Sequence, residues 1–286
     1  MRNLASVQVI KEILAESGFK FSKSLGQNFL TDEKVLDQIV GGAGIDKDTN
    51  VIEIGPGFGT LTQRLCKAAK KVVCIEIDSS AIPILEKNLE ECDNLKIINA
   101  DVLKVDLQKI IDEEFDGGSV KIAANLPYYI TTPIIMHVLE SKLKVDSLTV
   151  MIQKEVADRI SAKPSTKDYG ALGVAVNYYS TPEVIVNVPP SSFIPQPKVW
   201  STVIGLQIRD EAPVSVNDEK GYFKVVKAAF GQRRKTLLNA LSNSPAIPLD
   251  KEGVLAALIS CGIDEKRRGE TLSLQEFADL ANEIFK

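Results

Sequence analysis

The sequence predicts an α/β protein, with an open, mostly parallel, doubly wound sheet followed by a small C-terminal α-helical domain. Three observations predict it. Short, continuous apolar runs alternate with helix-like segments between residues 50 and 153, as expected for strands buried on both faces. That alternation at this pitch suits crossover helices between parallel strands. After residue 220 the pattern becomes helical throughout.

Residues 6–17 and 32–41 have helical spacing. NVIEIG (50–55) reads as the first strand, a Gly-rich turn follows, and LTQRLCKAA reads as a helix. KKVVCIEID (70–78) is a second strand and SSAIPILEKNLEE a second helix. LKIINAD (95–101) and VKIAANL (120–126) are further strands. TPIIMHVLES then opens a helix with Pro133 near its start, where a missing N–H costs little. VDSLTVMIQ (145–153) is a fifth strand. Between Tyr169 and Arg209 the runs GALGVAVNYYS, EVIVNV and KVWSTVIGLQI suggest antiparallel strands that close the sheet. DEAPVSVNDEK (210–220) is polar and turn-prone, which places a linker there and predicts domains at 1–209 and 210–286. YFKVVKAAF, RKTLLNALS, DKEGVLAALISCG and SLQEFADLANEIF complete the helical domain. The last opens with Ser273 and Glu276 at capping-box spacing.

The 286 residues, 44% hydrophobic and 25% charged, have ample core and globular composition. No apolar run is long enough to span a bilayer, and the N-terminus lacks a signal peptide's apolar core, so a cytoplasmic protein is expected. Cys66, Cys74, Cys92 and Cys261 form no C-x-x-C pair and sit mostly in apolar stretches, which predicts reduced thiols and no metal site. The single His137 leaves little support for Ser-His or Cys-His nucleophilic chemistry. A net charge of −4 is mild. The basic clusters at Lys20 and Lys23, Arg233-Arg234-Lys235 and Lys266-Arg267-Arg268 permit a nucleic-acid-facing surface without establishing one.

Glu53-Ile-Gly55-Pro-Gly57-Phe-Gly59-Thr60 follows a strand and opens a helix. Glycines let such a turn bend sharply and let a ligand approach the backbone. The helix start offers unpaired N–H groups to an anion. The spacing is G-x-G-x-G, one residue short of a dinucleotide fingerprint. Glu76 ends the second strand, placed to accept hydrogen bonds from ribose hydroxyls; the alternative is a surface or capping carboxylate. Asp101, after the third strand, either accepts from an adenine amino group or caps a turn. All three lie on the carboxyl rim, where this architecture binds ligands. They favour a nucleoside, with uridine- and NAD-type ligands still open.

Asn125-Leu126-Pro127-Tyr128 ends the fourth strand on the same rim. An adenine amino group is a poor nucleophile because its lone pair is delocalised into the ring. Acceptors around its N–H bonds favour a localised lone pair. The Asn125 side-chain oxygen and a backbone carbonyl held by Leu126-Pro127 would supply them, with Pro127 fixing the direction. Tyr128 would stack on the base. Phe193, in a segment stiffened by Pro195 and Pro197, is a second stacking candidate; the alternative is a core Phe.

These segments, with Lys23-Ser-Leu-Gly-Gln-Asn28-Phe-Leu30, Gln153-Lys-Glu155-Val-Ala, Phe193-Ile-Pro-Gln-Pro-Lys-Val and Arg233-Arg-Lys-Thr-Leu, come in an ordered set covering nearly the whole chain. The set resembles the ribosomal RNA adenine dimethyltransferase family, in its bacterial small-subunit branch. The resemblance implies a Rossmann-like class I methyltransferase sheet and S-adenosyl-L-methionine as donor. It implies transfer of two methyls to each of two adjacent adenosines in a loop near the 3′ end of 16S rRNA. It also implies an immature small subunit as partner, and a monomer is expected. It implies donor contacts from Asn28, Leu30, Gly55, Glu76, Asp101 and Asn125, to which the turn geometry adds Gly57. Two other readings compete: a large-subunit rRNA adenine methyltransferase of the macrolide-resistance type, and a non-catalytic RNA-binding assembly factor on the same scaffold. An NAD oxidoreductase is disfavoured by the Gly spacing.

Overall fold

The structure is a computed structural model and describes residues 2–17 and 28–286. The expected basic pair Lys20 and Lys23, and the family segment from Lys23 to Gln27, lie outside the described residues. The chain forms two compact units. One runs to Ala157 and takes Thr181–Ile208; the other consists of Asp158–Ser180 and Arg209–Lys286.

The first unit starts with α1 (Val7–Ser17), β1 (Phe29–Leu30) and α2 (Glu33–Gly42). Asp32 caps α2 by accepting the Lys34 and Val35 N–H groups at 3.1 and 3.4 Å. Then come β2 (Asn50–Ile54), α3 (Thr60–Ala68), β3 (Lys71–Glu76), α4 (Ile82–Asn88), β4 (Leu95–Asn99) and α5 (Leu107–Glu114). β5 (Val120–Asn125), α6 (Thr131–Glu140), β6 (Ser147–Gln153) and α7 (Lys154–Ser161) follow, the chain leaving the unit within α7. α8 (Ala171–Tyr179) precedes β7 (Ser180–Val188), β8 (Phe193–Ile194) and β9 (Ser201–Ile208).

Seven strands make one sheet in the order β4-β3-β2-β5-β6-β9-β7. The pairs from β4 to β6 are parallel, and β9 runs antiparallel to β6. Val51, Ile52, Val72, Val73, Ile122 and Leu148 are completely buried, so the apolar runs do mark strands covered on both faces. The five expected parallel strands are all present. The chain winds one way from β2 to β4 and the other way from β5, so the topological switch point falls between β2 and β5. A crevice opens there at the carboxyl ends.

The second unit packs α9 (Glu219–Gly231), α10 (Leu237–Ser242), α11 (Lys251–Ser260) and α12 (Leu274–Ile284) around Tyr222, Leu237, Val254 and Phe277. Ser273 and Glu276 form the expected capping box. GALGVAVNYYS, expected as a strand, is the helix α8 and belongs to this core through Val174 and Tyr178. An unbroken apolar run fits a buried helix as well as a buried strand. Gly173 lets this helix lie close: a Cβ there would stand 2.7 Å from the Arg159 carbonyl oxygen. The polar stretch from 210 does mark a passage between units, but 158–180 joins the helical unit as well, a segment whose apolar pattern resembled sheet.

Among the described residues, no helix is long and apolar enough to cross a membrane. Cys66 and Cys74 are buried free thiols, and burial raises the pKa of both.

Candidate active site

β2 ends at Ile54, and the next five residues reverse the chain into α3. Gly55, Gly57 and Gly59 take φ of +69°, +57° and +91°, a region that L side chains enter only with strain. A Cβ on Gly55 would meet nothing within 4 Å, whereas one on Gly57 would stand 3.0 Å from the Phe29 ring. Phe29 stacks on Phe58 of the same turn, with centroids 4.2 Å apart and planes 7° from parallel. β1 also pairs with β8, Leu30 opposite Phe193, and the Thr31 N–H donates to the Ser192 carbonyl at 2.8 Å. Asn28 and Leu30 are thereby held over the crevice.

The resulting cavity is lined by Asn28, Leu30, Gly55, Gly57, Glu76 and Asp101, together with Asn125 to Tyr128. The structure thus brings together every expected donor residue and the whole Asn-Leu-Pro-Tyr loop. Glu76 is buried, and its carboxylate accepts from Gly57 N–H at 3.3 Å and Asp78 N–H at 2.8 Å. Burial raises its pKa, and these hydrogen bonds oppose the rise. Each oxygen takes one of these N–H groups, so lone pairs remain for a ligand. Asp101 does cap a turn, accepting from Leu103 N–H at 3.1 Å, and its other oxygen lies 3.3 Å from Lys104 Nζ. It also lines the cavity, so the two readings of this residue coexist.

The Asn125 Nδ2 donates to the Asn28 carbonyl at 3.2 Å, which leaves Oδ1 as the acceptor end. The Pro127 carbonyl accepts from Ile130 N–H and the Thr131 hydroxyl at 3.2 and 3.1 Å. It is committed to the start of α6. The Tyr128 hydroxyl is tied to Ser201 Oγ at 2.7 Å, and burial raises its pKa. That bond anchors the ring at the cavity wall.

Phe193 is a correction. The stiff Pro-rich segment was expected to hold it out in the cavity. It is instead 1% exposed, packed in the core of the first unit and absent from the cavity wall. Pairing of β8 with β1 turns the ring inward, behind Leu30. His137 lies on α6 and is likewise absent from the wall.

Glu53, Thr60, Ile77 and Tyr129 are among the lining residues to which sequence reasoning assigned no individual role. Glu53 is buried; burial pushes its carboxyl up to about 7, against opposing hydrogen bonds from Thr62 and Cys74, the latter at 3.3 Å. Thr60 opens α3, and its buried hydroxyl finds no hydrogen-bond partner among the described residues. Ile77 and Tyr129 are 56% and 57% exposed at the cavity rim. The signal for the last two was adjacency: each follows a motif residue on the carboxyl rim.

Comparisons with known proteins agree with this geometry. Residues 18–286 match the family described as "Ribosomal RNA adenine dimethylase". "Ribosomal RNA small subunit methyltransferase A" of Alkaliphilus oremlandii (strain OhILAs) is 55% identical, covering 100% of this chain and 99% of that protein. The protein of the same name from Clostridioides difficile (strain 630) is 53% identical over 99% of this chain and 98% of its own. Among solved structures, a dimethyladenosine transferase from Plasmodium falciparum superposes with a TM-score of 0.75 at 26% identity, covering 88% of this chain and 95% of its own. The 23S rRNA methyltransferase ErmE does so with 0.67 at 26%, covering 90% and 100%. The fold is therefore the class I methyltransferase sheet expected from the motifs, and the chain belongs to the ribosomal RNA adenine dimethylase family.

Proposed function

We infer that this protein transfers methyl groups from S-adenosyl-L-methionine to the exocyclic amino group of adenosine in 16S rRNA, forming N6,N6-dimethyladenosine. The observation that carries the mechanism is a single cavity with both halves of the reaction on its wall: the Gly-rich turn with Glu76, and Asn125 with its loop.

The residues present fit the donor. Gly55 leaves open space where a side chain would stand, and Thr60 offers an unsatisfied hydroxyl beside the free N–H groups at the start of α3. A carboxylate end would satisfy both. Glu76 would hold ribose hydroxyls, Asp101 an adenine amino group, and Asn28 and Leu30 would cover the ligand. When bound, the donor supplies an electrophilic methyl on a sulfonium, an excellent leaving group.

Asn125 Oδ1 and the Leu126 carbonyl accept from the target amine and localise its lone pair toward that methyl. Neither needs to take the proton, since alignment in a closed site supplies most of the barrier lowering. Pro127 fixes the loop, and Tyr128, braced by Ser201, stacks on the base. Phe193 supports Leu30 from the core.

We extend this reading to two adjacent adenosines in a loop near the 3′ end, methylated in an immature small subunit by a cytoplasmic monomer. Exposed Arg233, Arg234 and Lys235 in the second unit would meet phosphates. Arg267 is committed elsewhere. Its guanidinium pairs with Glu276 and donates to the Thr271 carbonyl at 2.7 Å, so it braces α12.

The full-length likeness to small-subunit enzymes favours that subunit over the large one. Offering labelled donor with unmodified small or large subunits tests this. Label in the small-subunit RNA alone is expected; label in the large subunit would move the protein to the macrolide-resistance branch. Tight subunit binding without any transfer would leave a binding-only factor.

A further inference from the structure

β9 runs antiparallel to β6, so its first residues lie at the carboxyl rim of the parallel strands, beside the cavity. The residue just before it is Trp200, the chain's only tryptophan. It is 51% exposed, and the neighbouring Lys198 and Val199 are exposed as well. A large aromatic this open to water leaves much of its apolar face available to a partner.

The backbone beneath it is fixed. The Trp200 carbonyl accepts from Lys154 N–H at 2.9 Å, and the next residue, Ser201, is fully buried and holds the Tyr128 hydroxyl at 2.7 Å. Trp200 is thus anchored one residue from the base-stacking tyrosine. Tyr129, the other exposed aromatic of this rim, follows Tyr128 directly. β5, β6 and β9 are consecutive in the sheet, so Trp200 stands about two strand spacings, ~10 Å, to the side of Asn125 and three residues, ~10 Å, further out along the strand direction. The separation of ~14 Å is the reach of about four stacked nucleotides, fewer where the strand is splayed.

We propose that Trp200, with Tyr129 on the same rim, is a stacking platform for a nucleotide flanking the adenosine in the cavity. The occupant is single-stranded RNA. Tyr129 lines the cavity that takes one of its bases, the Tyr128–Ser201 bond ties that wall to the residue after Trp200, Lys198 is a basic neighbour, and aromatic faces with adjacent positive charge are how single strands are held. The inference rests on the proposed entry of adenosine into the cavity. It assigns the specificity-determining contact outside the cavity to a residue of the Pro-rich segment, where Phe193 is turned inward.

The single tryptophan gives a direct readout. Full-length protein is titrated with a single-stranded oligoadenylate and with unmodified small subunits while emission is followed. In parallel, Trp200→Ala and Trp200→Phe are assayed for KM and kcat on subunits and for donor affinity. Quenching by the oligoadenylate is expected. Trp200→Ala is expected to raise KM about 5- to 50-fold with kcat within about twofold, and Trp200→Phe to recover most of the loss. Unchanged emission with RNA overturns the proposal, even if KM rises, because the contact would then be with subunit protein. A Trp200→Ala KM within about twofold of wild type overturns it too. Asn125→Ala is expected to keep the quench, so failure of the cavity mechanism reads out separately, as transfer that survives that substitution.

Discussion

Asn125 and Glu76 share one cavity wall, and the proposed mechanism gives them different work that substitutions should separate. In that mechanism Glu76 would hold only the donor, so Glu76→Ala should weaken S-adenosyl-L-methionine binding about 10- to 100-fold by calorimetry, the loss of charge-assisted hydrogen bonds. Asn125 would act where the amine's charge develops, so Asn125→Ala should lower kcat about 100-fold or more while donor affinity falls only about threefold. Equal loss of donor affinity in both variants would contradict this division. Glu53 makes a pH prediction. Its folded-state pKa is raised by burial from 4.5 to about 7, so the folded protein resists ionising it where the unfolded chain does not. Its contribution to stability is therefore fully present below about pH 4.5 and is lost as pH rises to about 7, on the order of 3 kcal/mol. Melting curves of Glu53→Gln should show a shallower decline across that window than wild type; parallel profiles would remove Glu53 from the account. Asn125, Glu76 and Asp101 were legible because each ends or closely follows a recognisable strand. Glu53 was not, since nothing in NVIEIG says that its one carboxylate is enclosed rather than turned to water. Phe193 was misread because two prolines announce a stiff segment but not which side of it the ring faces.

At the scale of elements, the turn between β2 and α3 carries the site, and its glycines serve different purposes. Gly55 borders open space that a ligand would use. At Gly59, a Cβ would fall 2.9 Å from Leu89 Cδ1 and 3.0 Å from Leu85 Cδ1, against α4. Both adopt positive φ, so alanine costs about 1–2 kcal/mol of backbone strain at either. Gly59→Ala adds an overpacking cost of about 1–3 kcal/mol. Urea titrations should find Gly59→Ala the less stable variant, while Gly55→Ala folds well but binds donor poorly. The reverse order would mean that the turn is not packed as described. The five parallel strands were legible because each is a short apolar run closed by polar residues. α8 was not, since a mostly apolar run gives little period to read, and the close approach of Gly173 to the Arg159 carbonyl leaves no mark in the pattern.

At the scale of the whole molecule, a parallel sheet whose winding reverses between β2 and β5 leaves one crevice, and the motifs fall on that rim because they end its strands. The helical unit adds exposed basic residues. Changing Arg233, Arg234 and Lys235 together to Ala should weaken subunit binding and lower the slope of log affinity against log salt by about 2. An unchanged slope would take this cluster out of the interface. The sequence's polar stretch at 210–220 was a legible passage between units. The earlier one, within α7, was hidden because that helix continues through the boundary.

The most direct measurement is the chemical fate of labelled methyl groups when wild-type protein and Asn125→Ala are each given S-adenosyl-L-methionine and small subunits lacking the modification. The account predicts label recovered as N6,N6-dimethyladenosine from 16S rRNA with the wild type, and nearly none with a variant that still binds donor. Equal transfer by the variant, or label on another atom of the RNA, would contradict it.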